Sequence, residues 1–78
     1  MLVFGSENTV NLKAINSTHY LSKTTVYDIS GKVVLETSNM IIEAGHTEKI
    51  DISNLSGGVY VVSVTDLSGH VKTQKIVR

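Results

Sequence analysis

Apolar residues in this chain recur at every second position, as on a strand, and not at helical spacing. Val10, Leu12 and Ala14 alternate with Asn11 and Lys13; Ile50 and Ile52 with Lys49 and Asp51; Tyr60, Val62 and Val64 with Val61, Ser63 and Thr65. A period of two turns one face of each segment inward. β-branched residues fill these runs, and none extends to the roughly 10 residues at 3.6 periodicity that a helix needs.

Turn residues divide the runs: Gly5-Ser6 with Asn8, Asn16-Ser17, Ser30-Gly31, Ser38-Asn39, Ala44-Gly45, Ser56-Gly57-Gly58 and Ser68-Gly69. Gly tolerates positive φ, and Asn, Asp and Ser side chains bond nearby backbone groups. With breaks this close together, about seven short strands are expected. Parallel strands need long crossovers that 78 residues cannot supply. The expected fold is therefore all-β, a small antiparallel immunoglobulin-like sandwich. The length fits one domain, expected over residues 9–78, with residues 1–8 a lead-in or boundary segment.

Val26-Tyr27-Asp28-Ile29-Ser30-Gly31-Lys32-Val33 is echoed by Val64-Thr65-Asp66-Leu67-Ser68-Gly69-His70-Val71, 38 residues later. Each copy reads as a strand, an Asp-apolar-Ser-Gly turn and a second strand. Asp28 and Asp66 are expected to accept bonds from turn amides, with Gly31 and Gly69 left-handed. Two copies are too few for a repeat array, so two similar hairpins are expected.

The final segment is irregular. One phase carries Val71, Thr73, Lys75 and Val77, the other Lys72, Gln74, Ile76 and Arg78, and neither is cleanly apolar. A bulge near Lys75 or a sheet-edge position would account for this. An exposed edge also lets a partner add a strand or read the side chains.

Seven basic and seven acidic residues balance, which argues against nucleic acid or an anionic membrane as a general partner. Lys72, Lys75 and Arg78 form a locally basic tail with no acid after Asp66. No apolar stretch approaches the roughly 20 residues of a membrane helix, and Met1–Phe4 is too short for a signal peptide's apolar region. An upstream segment would have to supply any entry signal, and Met1 would then be an expression start. Without Cys there is no disulfide or thiolate site.

Catalytic chemistry is not indicated. His19, His46 and His70 lack metal-binding spacing, and a zinc site needs three or four converging ligands. The acids are scattered, and no Gly-x-Ser-x-Gly elbow occurs. Gly57-Gly58 leads into a strand, where a phosphate-cradling loop would open a helix. No cofactor, metal or catalytic residue is expected. Tyr60 shares the inward phase of Val62 and Val64, so its ring is expected in the core with its hydroxyl bonded at the edge.

Three ordered pieces carry a resemblance: Val26–Val34; Ile50–Leu55 followed by Gly58-Val59-Tyr60-Val61-Val62; and the closing Lys75-Ile76-Val77-Arg78. Together they resemble the C-terminal sorting domains of type IX secretion (Por secretion) cargo proteins of Bacteroidetes-type bacteria, over residues from about Thr9 to Arg78. This chain has neither the Asn-Pro opening common in the family nor a Pro before the Gly-x-Tyr motif.

The resemblance implies a non-catalytic secretion signal fused to the C-terminus of a cargo protein, which passes through the periplasm to the cell surface or medium. It also implies an outer-membrane translocon and shuttle protein as partners, and a sortase-like peptidase for some cargos. Lys72, Lys75, Ile76, Val77 and Arg78 would contact the machinery. Asp28, Gly31, Leu55, Gly58, Tyr60, Asp66 and Gly69 would serve the fold. Exposed edges allow a monomer or a strand-exchanged dimer. An immunoglobulin-like adhesion or carbohydrate-binding module is the alternative, resting on the sandwich pattern alone.

Overall fold

The computed structural model describes residues 1–78 as seven strands and no helix. They are β1 (Leu2–Ser6), β2 (Thr9–Lys13), β3 (His19–Tyr27), β4 (Val33–Ile42), β5 (Thr47–Asp51), β6 (Val59–Asp66) and β7 (Val71–Val77). One antiparallel sheet has the order β1-β2-β5, the other β4-β3-β6-β7. This is an immunoglobulin-like sandwich in which the fourth strand has joined the sheet of the third.

Val10, Leu12 and Ala14 from one sheet meet Val26, Tyr60, Val62, Val64 and Ile76 from the other, with Ile50 and Ile52 closing the layer. Alternation therefore located most of the core. Polar residues depart from it: Asn11, Thr24 and Thr25 are buried too. The Asn11 amide donates to the Phe4 carbonyl at 3.4 Å and the Thr9 hydroxyl at 3.2 Å, which offsets its desolvation.

Within residues 1–8, β1 pairs with β2 from Leu2↔Lys13 to Ser6↔Thr9, and Val3 joins the core. Ser38-Asn39 does not end a strand, because β4 runs through it. Asn39 takes φ 53°, a left-handed conformation that Asn tolerates, and β4 absorbs it at a sheet edge where only one side is paired.

The sequence echo has a geometric counterpart. An offset of 38 residues carries the Val26↔Val62 pair onto Val64↔Thr24, and Tyr27↔Val33 onto Thr65↔Val71. Hairpins β3–β4 and β6–β7 are thus related by a local two-fold axis normal to the sheet, between antiparallel β3 and β6. Their turns lie at opposite ends. The symmetry breaks at a bulge between Val26 and Tyr27, where β4 carries an extra residue that β7 lacks.

Candidate functional site: the closing strand

Both hairpin turns are built alike. Asp28 Oδ1 accepts from the Ser30 amide (2.9 Å), the Ser30 hydroxyl (2.6 Å) and the Lys32 amide (3.0 Å). Asp66 Oδ1 accepts from the Ser68 and His70 amides, each at 2.9 Å. Gly31 and Gly69 both have φ 88°. The Ser30 hydroxyl and then the Lys32 amide hold the Asp28 carboxyl below its ordinary range; the His70 amide does the same for Asp66. Asp51 is lowered in the same way, chiefly by the Ser53 amide.

β7 follows at the edge of its sheet, as expected, but without a bulge near Lys75: its register with β6 is unbroken from Val59↔Val77 to Thr65↔Val71. Edge position alone explains the irregular pattern. Lys72, Gln74 and Ile76 pair with the inward residues Val64, Val62 and Tyr60 and share their face. Only Ile76 reaches the core. Towards the ends of the strand this phase meets the rim between the sheets, where cations find carbonyl acceptors across the gap.

Lys72 Nζ donates to the Met1 carbonyl at 2.9 Å. Arg78 Nε donates to the Ile52 carbonyl at 3.0 Å, and Nη2 to the Ser53 carbonyl at 3.1 Å. The Arg78 main chain exchanges two bonds with Gly58, at 2.8 and 3.0 Å, extending the β6–β7 ladder by one pair. Gly58 adopts φ 152°, which L side chains rarely take. Beside it, the Tyr60 hydroxyl donates to the Ser56 carbonyl at 2.6 Å while the ring is buried. Leu55 packs against the core from the same loop.

The structure therefore divides the five residues assigned to the machinery. Ile76 is buried, and the polar ends of Lys72 and Arg78 bond the opposite layer. Lys75 and Val77 belong to the outward phase and are exposed. Lys75 lines a shallow hollow of about 490 Å³ with Tyr27, Asp28, Ile29, Val59 and Val61. Sequence reasoning missed the rim contacts because their acceptors are backbone carbonyls, which leave no residue-type signature.

No group of three or more His, Cys, Asp or Glu side chains converges in a way that could hold a metal. His70 Nδ1 lies 3.4 Å from Asp66 Oδ2, and His46 Nδ1 lies 3.8 Å from Glu43 Oε2, both pairs at solvent-facing turns. Exposed Tyr20 and Phe4 stand on different sheets, so they form no joint aromatic platform.

Fold and site together define a small immunoglobulin-like module whose last strand, at a sheet edge, is exposed at every position except Ile76. The family model for the secretion system C-terminal sorting domain matches residues 6–78, and the chain belongs to that family, the sorting domains of type IX secretion. Membership implies export to the cell surface or secretion. Comparison with curated proteins finds no match. Among solved structures, the crystal structure of CopC from Methylosinus trichosporium OB3b is similar at 25% identity and a TM-score of 0.57, covering 96% of this chain and 78% of that one. CopC is likewise a β-sandwich.

Proposed function

We propose that this domain is a non-catalytic export signal carried at the C-terminus of a cargo protein and read in the periplasm by the type IX outer-membrane translocon and its shuttle protein. The observation that carries the proposal is the sorting-domain match over residues 6–78, ending in an edge strand whose Lys75 and Val77 face solvent. Partner contact is assigned to these two side chains. Ile76, Lys72 and Arg78 act through the fold by holding β7 against the opposite layer. A sortase-like peptidase would remove the domain from some cargos after export.

A reporter fused upstream of residues 1–78 and targeted to the periplasm of a type IX-competent bacterium tests this reading. The intact fusion is expected in the medium or on the surface, and a fusion lacking Lys75–Arg78 in the periplasm. An intact fusion retained in the periplasm contradicts the reading, and continued export without the last four residues removes the tail from it.

A further inference from the structure

The free edge of β7 is not open along its whole length. β1, from the other sheet, runs beside it in the same direction, with Met1 at Lys72 and Gly5 at Ile76. No ladder joins the two, since β1 pairs only with β2 and β7 only with β6. The approach is close at Gly5: a Cβ there would lie 3.2 Å from Ile76 Cβ and 3.7 Å from the Val77 carbonyl oxygen. A strand with a small residue opposite Ile76 fits this edge, and β1 is such a strand.

Beyond its five-pair ladder with β2, β1 buries little. Val3 is its only buried side chain, while Leu2 and Phe4 are exposed. The two-residue turn into β2 gives Glu7 φ 53°, a conformation costly for a residue other than Gly or Asn. The family match begins at Ser6, so nearly all of β1 lies outside it.

We propose that β1 is a releasable strap over the β7 edge, and that the partner recognised there is an extended strand that replaces it, parallel to β7 with a small residue opposite Ile76. Release frees the outward amides and carbonyls of β7 for pairing and removes the Met1 acceptor from Lys72. Because β1 follows directly on any upstream segment, tension or order in that segment sets how often the edge is bare. The inference rests on the sorting reading and concerns the regulation of the same surface.

Hydrogen exchange on the isolated domain tests the strap without export. The β1 amides bonded to β2 are expected to exchange about tenfold or more faster than the β6 amides bonded to β3; equal protection overturns the proposal. Leu2→Cys with Lys13→Cys places a disulfide across a directly opposed, exposed pair. With the melting temperature preserved, the locked reporter fusion is expected to be exported about tenfold less than either single-cysteine fusion. Wild-type export of the locked form overturns the proposal.

Should the disulfide lower the melting temperature, Glu7→Gly decides instead. Relaxing the turn is expected to slow β1 exchange and reduce export, and slower exchange with unchanged export overturns the coupling. Retention of the unmodified fusion is the separate outcome that overturns the sorting reading itself, and the exchange result then still reports whether β1 opens.

Discussion

The two hairpins of the larger sheet share a turn and differ at their edges. In β3–β4 and β6–β7 an Asp gathers turn amides, a Gly sits at φ 88°, and the flanking residues pair in equivalent register. Beyond the turn they diverge. β4 gains a bulge and a left-handed Asn39, features that spoil an edge as a template for pairing. β7 stays regular, is tied to the opposite layer at both ends, and presents Lys75 and Val77 outward. Local turn chemistry makes a hairpin, and the regularity of its outer strand sets how good a template for pairing that edge is.

Four measurements break or sharpen this contrast. Ile76→Ala should lower stability by about 2–5 kcal/mol in denaturant unfolding, as buried Ile truncations do, while Leu35→Ala on partly buried β4 costs less. Equal losses would mean β7 is no more firmly anchored than β4. Gly58→Val should cost about 1 kcal/mol or more through its φ of 152°. An unchanged melting temperature would remove the Gly58–Arg78 pair from the account of how β7 is held.

The third concerns an opposed pair of buried hydroxyls in the first hairpin, Thr24 and Thr37, neither with a hydrogen-bond partner. The second hairpin puts Val62 in the place of Thr24. Thr24→Val is expected to stabilise by about 1 kcal/mol by deleting an unpaired buried group, and destabilisation would show that the hydroxyl is bonded in solution.

The smallest effect is on acid stability. The carboxyls of Asp28 and Asp66 titrate below the ordinary value of 3.8 when folded, so the unfolded chain binds more protons in the window between. Their contribution is complete above the ordinary pKa and is lost as pH falls through the folded-state values. Asp28→Asn and Asp66→Asn should each flatten the fall of melting temperature with acid, and by similar amounts if the turns are equivalent. A marked inequality would break the symmetry that the geometry shows.

Much of this was legible in the residues. The alternation of Val10, Leu12, Tyr60, Val62 and Val64 gave the core faces, because burial on one side of a strand imposes period two. The Asp-x-Ser-Gly echo gave both turns, since its bonds are local. What could not be read depended on distant backbone. Nothing in Leu2–Ser6 announces that it pairs with Thr9–Lys13 and lies against β7, and Arg78 looks like any exposed cation until the Ile52 and Ser53 carbonyls are seen beside it. Asn39 reads as a turn and lies instead within β4 in a left-handed conformation, because an edge strand tolerates one irregular residue.

The central claim is that the outward phase of β7 is read while its inward phase holds the fold. Reporter export and melting temperature, measured together for Lys75→Glu with Val77→Ser and for Arg78→Ala, test it directly. The outward pair is expected to abolish export at an unchanged melting temperature, and Arg78→Ala to lower the melting temperature, with export recovering at reduced growth temperature. Normal export of the outward double variant, or loss of export by Arg78→Ala without any loss of stability, would contradict that division of roles.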